Sequence, residues 1–317
     1  MKNITNIKKN IYQAKKILIA GHINPDGDCI GSLLSLGLGL RSLRKKVDLY
    51  VQGKLPRIYH FLPGSPSIIR TIKRVPDIAI AVDCNTKEML GRAYPFFQKA
   101  ETIIEIDHHE YRRTFGTYRF IDHHASSVGE MVYFLLKNMR IRITKEIATN
   151  ILTSLLIETS SFRLPNVTPK TFVLCSVLMK NGADYYKIIQ HLFWSQSREV
   201  AILSGMCLSR CSFLMNGQIV WSSIRKKDFH KVKGKDEHVD AVADEMRAIK
   251  EVEIAILFRE KTPRLLRVSL RSKKKVNVAV LAERYGGGGH RDVAGCFLKN
   301  NHRAIQQFLS DAKRMLK

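Results

Sequence analysis

An imidazole and two carboxylates fall within seven residues at His22, Asp26 and Asp28, inside Gly21-His22-Ile23-Asn24-Pro25-Asp26-Gly27-Asp28. Pro25 and Gly27 keep this stretch from running on as a helix, so it reads as a loop that can turn several polar side chains to one side. The same residue types build ordinary turns, and the segment alone does not decide between the two. Two other places repeat the chemistry. The apolar run Ile78–Val82 ends in Asp83, and the run over 102–106 ends in Asp107-His108-His109. Carboxylates brought together without cations raise one another's pKa, so three strand ends delivering Asp and His are better explained by a metal than by packing. Imidazole and carboxylate without thiolate suit Mn²⁺ or Mg²⁺ and admit Fe²⁺ or Zn²⁺. A carboxylate shared by two such ions would set them about 3.5–4 Å apart.

A second cluster lies near the other end. Gly286-Gly287-Gly288-Gly289 is followed at once by His290 and preceded by a strand-like segment carrying Arg271 and Ser272. Glycines let the backbone approach an anion closely and aim N–H groups at it, while Arg and His add charge-assisted hydrogen bonds. That combination reads as a phosphate clamp, although a glycine run by itself reads equally well as a flexible loop.

The elements that must position these residues can be outlined. Lys16–Ala20, 47–51, Ile78–Val82 and 102–106 are short, mostly apolar runs, the pattern of a largely parallel sheet covered on both faces. Leucines at 33, 34, 36, 40 and 43 predict a buried helix over 30–43, and Val128–Asn138, Lys145–Glu158 and Pro169–Lys180 read as further helices, the last capped by Thr168. More helix follows over 184–209. After 215–217 strands are expected at Ile219–Ile224, 252–258 and 265–270, with helices over 238–249 and 278–285, while the lysine-rich 226–235 reads as a surface loop. The reading is an α/β chain with a mainly parallel first domain over 1–183, a helical connector over 184–216 and a smaller α/β domain over 217–317.

With these motifs in place the sequence resembles the DHH phosphoesterases. His-x-x-Pro-Asp-x-Asp-x-x-Gly-Ser matches His22 to Ser32, the lone strand-end acid matches Asp83, and Asp107-His108-His109 is the name-giving triplet. Residues 268–272, the glycine run with His290, and Ala294-Gly295 resemble the DHH-associated C-terminal domain. The two-domain length is most similar to the bacterial nanoRNase and pAp phosphatase branch. The resemblance implies an active site in the cleft between the domains, with His22, Asp26 and Asp83 on one metal and Asp28, Asp83 and His108 on the other. It also implies that His109 faces the substrate phosphate and that Asp107 belongs to the catalytic set. Arg271, Ser272, Gly287, Gly288, Gly289 and His290 would hold phosphate, and family precedent makes a homodimer plausible. Where the family has Asp-Thr-Gly-Ser-Phe-Arg this chain has Glu158-Thr159-Ser160-Ser161-Phe162-Arg163, so the last carboxylate is kept but lengthened; Glu158 is expected to serve as a ligand still, the alternative being a helix-end glutamate with no such role.

Composition agrees with a phosphate-bearing partner. Lys plus Arg number 53 against 28 Asp plus Glu, a formal charge of +25, which attracts polyanions by steering and counterion release. The sequence has 45% hydrophobic and 26% charged residues, the balance of a folded globular chain rather than a disordered one, and no apolar run reaches the roughly 20 residues of a membrane span. The N-terminus lacks a signal-peptide pattern, so a cytoplasmic protein is expected, with six dispersed cysteines kept reduced. The expected activity is release of mononucleotides from short RNA oligomers, or of phosphate from pAp, by a water activated by two divalent ions, preferably Mn²⁺. Hydrolysis of linear or cyclic dinucleotides, of pyrophosphate or polyphosphate, and a non-catalytic RNA-binding role are the alternatives. A second Asp-His-His at 122–124 is expected to be a surface decoy, because no long apolar run leads into it.

Overall fold

A computed structural model describes residues 2–110, 113–273, 275–289 and 291–316. The chain divides into two units, Met1–Ser195 and Gln196–Lys317. Strands of the first are β1 (Lys16–Ala20), β2 (Lys46–Tyr50), β3 (Ile68–Ile69), β4 (Ile78–Val82), β5 (Thr102–Asp107) and β6 (Tyr118–Ile121). Its helices are α1 (Lys2–Gln13), α2 (Gly27–Arg41), α3 (Tyr94–Phe97), α4 (Val128–Asn138), α5 (Lys145–Glu158), α6 (Pro169–Lys180) and α7 (Tyr185–Phe193).

The first sheet has the order β3-β2-β1-β4-β5-β6, and every neighbouring pair is parallel. Alternation explains why its central strands are apolar throughout. Ile17, Ile19, Ile80 and Ile104 enter one core with the leucines of α2, α4 and α5, while Leu18, Ala20, Ala79 and Ala81 enter another with Leu90 and Phe97. A strand buried on both faces has no position for a polar residue until it ends, and polarity therefore collects at the ends. Because all six strands point the same way, β1, β4 and β5 deliver their terminal residues to one edge.

Helix α2 starts at that edge. Asp26 is its N-cap, with Oδ1 accepting from the amides of Asp28 and Cys29 at 3.0 Å each, so the cap that begins the helix also fixes the loop after β1. Almost every residue of α2 is buried. A Cβ on Gly31 would stand 2.5 Å from the Asn150 carbonyl of α5. Only glycine lets the two helices approach this closely.

The second unit holds α8 (Arg198–Ser209), β7 (Ser212–Leu214), β8 (Ile219–Ile224), α9 (Lys226–Val232), α10 (Val242–Arg247), β9 (Ile254–Thr262), β10 (Leu265–Ser272), α11 (Val278–Glu283), β11 (Gly288–Gly289), β12 (Val293–Lys299) and α12 (His302–Arg314). Its sheet runs β11-β12-β10-β9-β8-β7; β8 and β9 are parallel and the other pairs antiparallel. One face packs on α11 and α12 around Phe308, the other on α8 and α10 around Met246.

Two sequence expectations need correction. The lysine-rich 226–235 is not a loop throughout: α9 forms because Phe229 is buried and Asp228 accepts from both the Arg225 amide and the Arg210 guanidinium. The segment before 122–124 is a strand, β6, half-buried at the sheet edge, where an alternating YRFI suffices in place of an apolar run. Asp122, His123 and His124 are exposed, yet they follow β6 at the same edge as the other strand ends, and His123 Nδ1 lies 3.2 Å from the His108 carbonyl. Among the described residues no helix is long and apolar enough to cross a membrane.

Candidate metal centre

Asp83, at the end of β4, has a left-handed backbone, φ +58°, which costs a non-glycine residue of order 1 kcal/mol. The turn aims its carboxylate between two histidines. Oδ2 lies 3.5 Å from His22 Nε2, and Oδ1 lies 3.6 Å from His109 Nδ1. Asp83 thus belongs to two groups whose ligand atoms lie within 4.8 Å of one another, one with His22 and Cys29 and one with His108 and His109. A third group joins Asp28, His108 and Glu158, with His108 Nε2 3.7 Å from both carboxylates.

The supporting hydrogen bonds set the orientation of these groups. His108 Nδ1 is 3.1 Å from the Ala125 carbonyl; a carbonyl can only accept, so Nδ1 carries the proton and Nε2 turns its lone pair to Asp28 and Glu158. Asp28 is fully buried and accepts from Ser154 Oγ at 2.6 Å, Ser32 Oγ at 3.1 Å and the Val128 amide at 2.9 Å. Val128 opens α4, so a helix N-terminus stabilises this anion. Asp107 is also fully buried, and it accepts from the His108 amide at 2.9 Å and from His109 Nδ1 at 2.7 Å. It holds the triplet in shape and positions the His109 ring.

The electrostatics of the cluster are those of too many acids. Burial, followed by the charges of Asp83 and Asp26, pushes Asp28 up to about 7. Burial, with Asp28, Asp83 and Asp26, pushes Glu158 up to about 9. Asp107 holds His109 up at about 9, against burial, and that ring is cationic at neutral pH. Burial opposes the charging of His22, but Asp26 and Asp83 overcome it and hold the imidazole well above its ordinary range. Repelling carboxylates crowded against imidazole nitrogens are a donor set that a divalent cation relieves, taking the place of the protons they hold, so the residues fit the metal that the sequence implies.

Other expected residues are placed differently. Asp26 lies 3.9 Å from His22 but spends one oxygen on the cap of α2, and none of the three groups contains it. Cys29 takes a place beside His22 and Asp83 instead, a position that its dispersed spacing in the sequence does not signal; burial pushes its thiol up to about 11. Ser154 and Ser127 were missed as well, although Ser127-x-x-Glu130 is a helix-start signal and Ser127 caps α4. Glu158 ends α5, and Ser160, Ser161 and Phe162 behind it all have positive φ, between 47° and 64°.

In the second unit Arg271 is paired with Asp244, Nε lying 3.0 Å from each carboxylate oxygen. Ser272 is buried and donates its only proton to the Val276 carbonyl at 2.7 Å, so its hydroxyl is spent within the fold. His290 lies outside the described residues. The glycine run is partly strand: Gly288 and Gly289 pair with β12. A Cβ on Gly287 would stand 2.2 Å from the Gly295 carbonyl, whereas nothing lies within 4 Å of one on Gly288. We expect Gly287→Ala to cost about 1–3 kcal/mol by forcing β12 away and Gly288→Ala to cost under 1 kcal/mol, mainly a backbone propensity effect; thermal unfolding of the two variants checks the contrast, and equal midpoints would contradict it.

A parallel sheet gathering Asp and His at its carboxyl edge, followed by a mixed-sheet unit with a glycine loop, defines the class as a two-domain phosphoester hydrolase. Residues 16–157 match the DHH family, N-terminal domain, and residues 217–317 match the DHHA1 domain; the chain belongs to the DHH family. It is 29% identical over 286 residues, 89% of this chain and 84% of the relative, to the bifunctional oligoribonuclease and PAP phosphatase NrnA of Thermus thermophilus. A solved exopolyphosphatase-related protein from Bacteroides fragilis is 25% identical with a TM-score of 0.87, over 99% of this chain and 95% of that one. Exonuclease RecJ bound to manganese shares the fold at a TM-score of 0.54 and 11% identity, over 98% of this chain and 92% of its own.

Proposed function

We propose that the chain hydrolyses short oligoribonucleotides to mononucleotides and removes the 3′-phosphate of pAp, using two divalent ions, Mn²⁺ by preference. The observation that carries this reading is Asp83, which falls in one group with His22 and in another with His108, as a carboxylate shared between two ions must. The name of the Thermus relative supports the substrate class. His22 and Asp83, with Asp26 or Cys29 beside them, would hold one ion, and Asp28, His108 and Glu158, with Asp83, the other. When bound, such ions activate water near neutral pH and neutralise charge on phosphorus ligands.

The chain's own residues do the rest. His109, cationic and steadied by Asp107, donates a hydrogen bond to a phosphate oxygen as negative charge builds up. Arg271 releases Asp244 to take a substrate phosphate, and the amides of Gly287, Gly288 and Gly289 add donors. His290 is assigned there by its place in the sequence alone. Free thiols at all six cysteines go with a cytoplasmic location.

Comparative turnover in Mn²⁺ tests the substrate. Oligomers of two to five nucleotides and pAp should be cleaved well ahead of pApA and pyrophosphate; a preference for pyrophosphate would overturn the proposal. Metal binding should itself depend on pH. Asp28 and Glu158 are protonated up to about pH 7 and 9, so an ion must displace those protons. Apparent Mn²⁺ affinity should then rise as the pH goes from 6 to 9, with proton release seen by calorimetry in buffers of different ionisation enthalpy. An affinity flat over that range would contradict the picture of crowded acids.

A further inference from the structure

At the carboxyl end of β2 and β3, on the same sheet edge as the metal centre, lies a cavity of about 470 Å³. That is within the usual range for small-ligand sites. Lys54, Arg57, His60 and Arg70 line it and no carboxylate does. Among the described residues Lys54, Arg57 and Arg70 take part in no ion pair, like the other described arginines of the first unit; what sets these three apart is that they share one cavity. Leu55, Pro66 and Ile69 supply an apolar wall. Cations gathered around a cavity without a counter-charge create a local positive potential that an anion lowers, and an apolar wall beside them suits a flat ring.

The wall is preformed. Ser65, itself buried, donates to the His60 carbonyl at 2.9 Å; Asn150 of α5 donates to the Pro63 carbonyl at 3.0 Å; Arg41 of α2 donates to Ser67 Oγ at 2.8 Å; and Phe61 stacks on His191 with centroids 4.3 Å apart. The turn Arg57–Tyr59 joins the cavity to the metal loop. Tyr59 is buried against Gly27, where a Cβ would come within 3.1 Å of its ring, and burial together with the nearby Asp26 charge pushes its hydroxyl far up. One turn of chain therefore gives Tyr59 to the loop that carries Asp26 and Asp28, and Arg57 with His60 to the cavity. Strand β3 is two strand spacings, about 10 Å, from β1, the reach of a neighbouring nucleotide.

We infer that this cavity is a subsite for the nucleotide one step beyond the pair joined by the scissile phosphate, its phosphate held by Arg57 and Arg70 and its base laid on the apolar wall. The inference rests on the oligonucleotide reading above, since only a substrate longer than a dinucleotide reaches it. Longer oligomers therefore gain affinity that a dinucleotide does not.

The test is the double variant Arg57→Ala/Arg70→Ala of the full chain, with Arg57→Lys/Arg70→Lys as the charge-retaining partner. Both arginines are exposed, so thermal midpoints should match the wild type. Binding of a fluorescein-labelled RNA pentamer, followed by anisotropy without divalent metal, should weaken at least about tenfold in the Ala variant. The slope of log affinity against log salt should fall by about 0.7 for the one phosphate no longer neutralised. In Mn²⁺ the preference for pentamer over dimer in kcat/KM should drop by a similar factor, and the Lys variant should recover most of it. Equal losses for dimer and pentamer, or wild-type pentamer affinity in the Ala variant, would overturn the subsite. A wild-type chain that cleaves no oligonucleotide would instead overturn the proposed activity, and the anisotropy measurement would still judge the cavity.

Discussion

Asp83→Asn is expected to lower kcat/KM on every phosphoester substrate by at least about a thousandfold, roughly 4 kcal/mol of transition-state stabilisation. The amide keeps the volume of the side chain and one oxygen, but it cannot present two anionic oxygens, one to the group with His22 and one to the group with His108. Two groups lose a ligand at once, the one with His22 and the one with His108. The fold should survive, because Asn also tolerates the left-handed backbone and the lost attraction to His22 and His109 is offset by relief of the repulsion that raises Asp28 and Glu158. Metal-free Asp83→Asn protein should therefore melt no lower than the wild type while binding Mn²⁺ far more weakly, as read by scanning calorimetry and titration. A variant with near-normal turnover would remove Asp83 from the centre, and one that fails to fold would give it a structural role that its surroundings do not suggest.

The second large effect is at Glu158. Replacement by Gln should weaken the second ion by about 10–100-fold, in the range seen when a group tuning a metal site is lost, with turnover at limiting Mn²⁺ falling in step and excess Mn²⁺ restoring much of it. Glu158 also has a signature in stability. Its folded pKa is raised from 4.5 to about 9, so the metal-free folded state holds a proton that the unfolded chain gives up. The resulting cost is absent below about pH 4.5, grows as the pH rises toward 9, and disappears in Glu158→Gln. The variant's gain in thermal midpoint over the metal-free wild type should therefore widen between pH 5 and pH 8. A glutamate that merely ends a helix would change neither the Mn²⁺ dependence nor this difference.

These residues could be found in the sequence because a doubly covered parallel sheet leaves a polar residue few places to be. Once Lys16–Ala20, Ile78–Val82 and 102–106 read as strands, His22, Asp83 and Asp107-His108-His109 had to fall on one edge. What could not be read is what depends on contacts distant in sequence. Ser154 lies 126 residues from the carboxylate it supports, and nothing around it separates it from any other helical serine. Cys29 looks like a core residue until the β1 loop folds its thiol toward His22. Helix α9 was hidden for the opposite reason, its lysines outweighing the one buried phenylalanine and the Arg210–Asp228 pair that hold it. The edge strand β6, open on one side, needs no apolar run, and so the second Asp-His-His was set apart from the sheet edge that it in fact shares.

Anomalous diffraction from crystals of the protein grown with Mn²⁺ tests the central claim most directly. Two peaks should stand on either side of the Asp83 carboxylate, one toward His22 and one toward His108 and Glu158. A single peak away from Asp83, or none at saturating Mn²⁺, would contradict the account.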